Sequence, residues 1–115
     1  NTAESAAPAE YKTMIEDAVA ADIVYTDAIS GVSANFLRQS LEDNDIDVEL
    51  LQKAGADKPD LKAIDSEVKA WKTIWSAGQG VGGIDDVPTV AELCDRLEAE
   101  YRAAANNVAA ALGSG

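Results

Sequence analysis

Thr89-Val90-Ala91-Glu92 limits the folding of this chain more than any other short stretch. A threonine with a glutamate three residues on satisfies two orphan N–H groups of a helix start reciprocally. Pro88 stands immediately before it. Behind it, Val90, Leu93, Cys94, Leu97, Tyr101, Ala104 and Val108 recur at helical spacing on one face, and Gly113 stands where a glycine stop belongs. The pattern predicts a C-terminal helix over 89–113. Cys94, between Leu93 and Leu97, is expected to be a small buried hydrophobe, not a nucleophile.

The rest of the chain is less regular. NTAESAA is small and polar and reads as an entry loop. Pro8 suits a first helical turn, and Tyr11, Met14, Ile15, Ala18 and Val19 then share one helical face. Ile23-Val24-Tyr25-Thr26 is β-branched and aromatic and reads as a short extended segment. One strand makes no sheet, so it needs partners or serves as a connector. SANFLRQSLEDN places Phe36, Leu37 and Leu41 at helical spacing, with Ser33 as cap. Asp47 caps a further helix over DVELLQKAG, with Gly55 as stop. After the loop ADKPD, Asp60 caps a helix in which Leu61, Ile64, Val68, Trp71 and Trp75 keep the period, the two tryptophans in packing roles. The expected chain is mainly α: about five helices and at most one short strand. Its expected divisions are 1–30, 31–75, a glycine-rich loop over 76–88, and the helix over 89–113.

Composition excludes several functions. With 115 residues the chain holds one domain at most. Nine basic against 21 acidic residues give a net charge of −12, which repels nucleic acid phosphate and anionic lipid. There is no histidine and one cysteine, so the commonest general base, an internal disulfide and a cysteine-rich metal site are all missing. No catalytic and no metal-binding residue is expected. Asp43, Asp45 and Asp47 alternate as at the start of a calcium loop, but Val48 and Ala54 occupy the positions that need Gly and Glu. No apolar run approaches the ~20 residues of a membrane span, and no secretory signal is visible, which sets a cytoplasmic expectation.

GQGVGG, residues 78–83, spells the dinucleotide fingerprint G-x-G-x-x-G. That pattern works when a strand enters the glycines and a helix leaves them, so that the helix start meets a pyrophosphate. Here KAWKTIWSA enters as a predicted helix, and the exit IDDVPT carries two aspartates and a proline. The fingerprint therefore fails on both sides. The glycines instead suggest positive-φ turns or backbone lying close against a ligand or another surface.

IWSAGQGVGGIDDVPTVAELCDRLEAE resembles the C-terminal segment of FMN-dependent nitronate monooxygenases, with its Gly-Gln loop, Ile-Asp-Asp-x-Pro turn and Ala-Glu-Leu helix. DIVYTDAISGVSANFLRQSL resembles that family's run of strand, Thr, Ser/Thr-Gly and Asn-aromatic-Leu. NTAESAAPAEYKTMI is similar to the segment after that family's Gly-Thr-Arg-Phe barrel strand. The three stretches stand in the family's order and cover nearly the whole chain.

The resemblance implies a (β/α)8 barrel with a helical extension, of which this chain would be the C-terminal part. It implies oxidation of alkyl nitronates with FMN and O2. The catalytic histidine and the FMN phosphate site would lie upstream. Ser76, Gly78 and Gln79 would approach the flavin, the serine offering a hydroxyl and the glutamine an amide. The implied partner is the N-terminal barrel portion, or failing that another copy of the chain. Two other readings fit the composition: an acidic helical interaction module that folds alone without chemistry, and a fragment refolded into a helical oligomer.

Overall fold

A computed structural model describes residues 1–53 and 72–113. The predicted helix from Asp60, the Gly55 stop and the Trp71 half of the tryptophan pair lie outside the described residues. The described elements are α1 (Ala9–Asp17), β1 (Ile23–Thr26), β2 (Ala34–Leu37), α2 (Arg38–Glu42), α3 (Val48–Lys53) and α4 (Val90–Gly113), with 3₁₀ turns at Ala20–Asp22 and Gln79–Gly83. The chain divides into two compact units: Ala7–Asp85, and Asn1–Ala6 together with Asp86–Gly115.

The unit Ala7–Asp85 corrects the expected fold class. The segment predicted as a helix from Ser33 starts as a strand, and helix begins only at Arg38. β2 pairs antiparallel with β1, in the register Ile23↔Leu37, Val24↔Phe36, Tyr25↔Asn35 and Thr26↔Ala34. The architecture among the described residues is thus four helices and a two-stranded antiparallel sheet, not mainly α with one strand. Barrel strands of the (β/α)8 type are parallel and joined through helices. These two are joined by the short turn 27–33, so the barrel expectation is overturned as well.

Pleating explains why the strand wins. Successive side chains of a strand leave on opposite faces. Val24 and Phe36 face a core with Ile29, Leu41, Ile46, Val48 and Ile74. Ile23 and Leu37 face a second cluster with Ala18, Val81, Tyr11, Met14, Ile15, Trp75 and Ala77. A helix at 34–37 would place Phe36 and Leu37 on neighbouring rather than opposite directions and could not feed both clusters. The connecting turn closes with Gly31 N–H donating to Asp27 O at 2.8 Å, and Gly31 takes φ 75°, which a side chain would strain.

The aspartates rejected as a calcium loop have local work. Asp45 takes φ 60° just past α2, its N–H donating to Glu42 O while Ile46 N–H reaches back to Leu41 O. This is a left-handed helix end, and Asp is one of the few non-glycine residues that enter it readily. The ending drops Ile46 onto the core beside Leu41. Asp47 caps α3 as expected, its Oδ1 accepting from Leu50 N–H at 3.1 Å. Asp43 accepts from Gln39 Nε2 at 2.7 Å. At α1 the helix stops at Asp17, and Val19, expected on the apolar face, is extended and exposed.

The other unit is a short segment tied to a long helix. Ala3 N–H donates to Pro88 O at 2.8 Å, and Asn1 Nδ2 to Asp86 O at 3.3 Å. The predicted box is present: Glu92 N–H donates to Thr89 Oγ1 at 3.1 Å, and Thr89 N–H to Glu92 Oε2 at 2.9 Å. Glu4 adds a second carboxylate, accepting from Val90 N–H at 2.8 Å. A carboxylate at this end also opposes the positive end of the helix dipole. α4 has no buried residue. Cys94, expected to be buried, is exposed. The helix exists as predicted, but nothing among the described residues covers its apolar face. No helix among the described residues is long and apolar enough to cross a membrane.

Candidate functional site

The predicted flavin-facing residues come directly after Trp75, and Trp75 is held from several sides. Residues 73–75 run beside α2 and β2. Asn44 and Thr73 exchange bonds, Thr73 Oγ1 to Asn44 Oδ1 at 2.8 Å and Asn44 Nδ2 to Thr73 O at 3.2 Å. Ile74 is buried in the first core. Leu37 N–H donates to Trp75 O at 2.8 Å, extending the sheet edge by one bond. Ser40 is fully buried; its Oγ accepts from Trp75 N–H at 3.0 Å and donates toward Leu37 O at 2.8 Å, with Trp75 O at 3.2 Å. Tyr11 stacks on the Trp75 ring, centroids 4.9 Å apart and planes 12° from parallel. Its hydroxyl donates to Ser76 O at 2.5 Å.

Beyond this root the chain alternates between exposed and held residues. Ser76, Gly78, Gln79 and Gly80 are exposed, while Ala77 packs against the second cluster and Val81 is buried in it. Val81 N–H donates to Gly78 O at 3.0 Å, closing the 3₁₀ turn. Ser76, Gly78 and Gln79 therefore lie on one short exposed stretch whose two ends are fixed. They are brought together by sequence adjacency.

Of the two expected reasons for the glycines, positive φ is not met. None of Gly78, Gly80, Gly82 or Gly83 has positive φ. A Cβ on Gly82 would meet Ala20 N at 3.7 Å and Val19 Cα at 3.8 Å, ordinary contact, and at Gly78, Gly80 and Gly83 it would meet open space. No close approach among the described residues calls for them. The stretch offers exposed backbone beside the Ser76 hydroxyl and the Gln79 amide. The stretch 76–83 holds no Lys or Arg, and Asp85 and Asp86 come after it, so it does not fit a phosphate.

A groove of about 570 Å³ lies elsewhere in this unit. Met14, Ala18 and Leu37 line it beside Glu10, Asp17, Asp22 and Asp43, and none of Ser76, Gly78 and Gln79 takes part. Two of its carboxylates have local tasks: Asp22 accepts from Val19 N–H at 2.8 Å, and Asp43 from Gln39.

Two carboxyls outside this stretch have shifted ionisations. The Arg96 guanidinium, forked onto Asp86 at 3.0 and 2.7 Å, holds that carboxyl below its ordinary value. The backbone N–H and hydroxyl of Thr89 do the same for Glu92.

Reading the sequence alone misses Ser40 and Tyr11 as supports of the loop. One signal was available for Ser40: it falls three residues after Leu37 and beside Leu41, a lone hydroxyl on an apolar helical face. Tyr11 carried only a packing signal. Comparison with family models, with curated proteins and with solved structures finds no match to this chain.

Proposed function

We propose that the chain forms the C-terminal part of a cytoplasmic, FMN-dependent oxidoreductase of the nitronate monooxygenase type. One observation supports this reading more than any other. The three stretches that carry the resemblance are separated in sequence and meet at Trp75. Tyr11 comes from the first, Leu37 and Ser40 from the second, and Trp75 with Ser76 from the third.

FMN, when bound, accepts electrons from the nitronate and passes them to O2. The residues of this chain have narrower tasks. The Ser76 hydroxyl and Gln79 amide offer hydrogen bonds to the carbonyl and N–H edge of the ring, and the open backbone at Gly78 lets the ring approach. The phosphate site and the catalytic base belong to polypeptide upstream, which is also the partner that the apolar face of α4 requires.

Absorbance of the purified full protein tests the proposal, together with oxygen uptake on adding an alkyl nitronate. Flavin bands in the visible blue, nitronate-dependent oxygen consumption and a lower flavin content in Gln79→Ala are the expected results. A colourless protein that takes up no added FMN and consumes no oxygen overturns the proposal, and favours the reading as an acidic interaction module.

A further inference from the structure

We propose that Ser40 is a positioning residue for the flavin-facing loop, an inference that rests on the flavin reading of Ser76–Gln79. Ser40 is the one buried polar side chain among the described residues. A buried hydroxyl is retained at a cost unless both its donor and its acceptor capacity are used. Here both are used, and every partner fixes where the loop begins. The Oγ accepts the Trp75 N–H at 3.0 Å, and its single proton goes toward Leu37 O at 2.8 Å, with Trp75 O at 3.2 Å.

The geometry locks Trp75 by its backbone and not by its ring alone. Leu37 N–H takes Trp75 O and Ser40 takes Trp75 N–H, so both peptide groups flanking Trp75 are bound to β2 and α2. Ser76 is the next residue, and the Tyr11 hydroxyl donates to its carbonyl. The Ser40 hydroxyl thus shares in setting how the chain leaves the core toward Ser76, and itself lies within the core. An alanine at position 40 removes the acceptor of the partly buried Trp75 N–H, and the loop root gains freedom.

The test uses the full protein with FMN as probe, and reads two quantities in wild type, Ser40→Ala, Ser40→Cys and Tyr11→Phe. The first is hydrogen exchange at the Trp75 amide. The second is the FMN dissociation constant from quenching of flavin fluorescence. Ser40→Ala is expected to raise both about tenfold, the loss set by one unmet, partly buried donor. Ser40→Cys, with a weak donor and acceptor of similar size, is expected to recover part of both. Tyr11→Phe keeps the ring stack and loses one exposed bond, so about threefold in FMN affinity is expected; it is the readout if Ser40→Ala does not fold. Unchanged Trp75 exchange overturns the proposal. So does faster exchange with unchanged FMN affinity, which leaves the flavin reading intact. Wild-type protein that takes up no FMN overturns the flavin reading itself, whatever Ser40 does to the loop.

Discussion

The two units of this chain use apolar residues in opposite ways. In Ala7–Asp85, neighbouring apolar residues of one hairpin supply two separate clusters, and Leu37 and Leu41 are essentially inaccessible. In α4, a helix of 24 residues, Leu97, Tyr101 and Val108 are 55%, 76% and 60% exposed. The first unit is held by contacts distant in sequence. The second is defined at the start of its helix: a reciprocal Thr89–Glu92 box, a carboxylate from Glu4 and the Arg96–Asp86 fork. A helix can thus be specified locally in full while its apolar face still lacks a cover. Most helical stability in proteins comes from packing such a face.

The sharpest way to break this contrast is to delete the same side chain in both units. Leu41→Ala empties a fully buried site and is expected to cost about 2–5 kcal/mol in urea unfolding of the chain. Leu97→Ala removes an exposed side chain and is expected to cost under about 0.5 kcal/mol. If Leu97→Ala costs as much as Leu41→Ala, the face of α4 is covered in solution, and the contrast between the units is lost. In the full protein, where the proposed upstream partner is present, the Leu97→Ala cost should rise toward the core value.

What could be read from the sequence divides along the same line. The α4 start, the Asp47 cap and the extended character of Ile23–Thr26 are each written within a few residues, and each is found. The strand Ala34–Leu37 is not, because Phe36, Leu37 and Leu41 also satisfy a helical period. Only the second cluster, built from residues as distant as Tyr11 and Val81, makes an outward Leu37 acceptable. Cys94 failed for the converse reason: a periodic face specifies what could be buried, not whether anything arrives to bury it. At the candidate site, Ser76, Gly78 and Gln79 were singled out by the family resemblance, and the structure adds that they are exposed. Their supports were not legible in the sequence, since Ser40 and Tyr11 act across 35 and 65 residues.

A smaller effect sharpens the claim that α4 is defined at its start. Thr89→Ala removes the hydroxyl that accepts Glu92 N–H and should cost the helix about 1 kcal/mol. The loss should appear as faster amide exchange over the first turn of α4, with exchange at Trp75 and Leu37 unchanged. Equal acceleration in both units would show that they unfold together.

The smallest expected effect is a dependence on pH confined to the start of α4. Glu92 and Asp86 both have carboxyls held below their ordinary values, by the Thr89 donors and by Arg96. For a carboxyl lowered in the folded state, the stabilisation is complete above its unfolded value and is lost as pH falls through the folded one. The first turn of α4 should therefore fray on acidification below about pH 4, the ordinary carboxylate range. A whole-molecule effect runs the other way, because protonating carboxylates relieves the self-repulsion of a chain with net charge −12. The two are separable by location: repulsion is spread over the surface, whereas the capping loss is read at the Thr89, Val90 and Glu92 amides. Glu92→Gln keeps an acceptor for the Thr89 N–H and removes the titration, so its first turn should lose much of the acid dependence, leaving the part due to Asp86. An acid response at these amides that is identical in wild type and Glu92→Gln would assign it to Asp86 or to net charge, and take Glu92 out of the set of contacts that define the helix start.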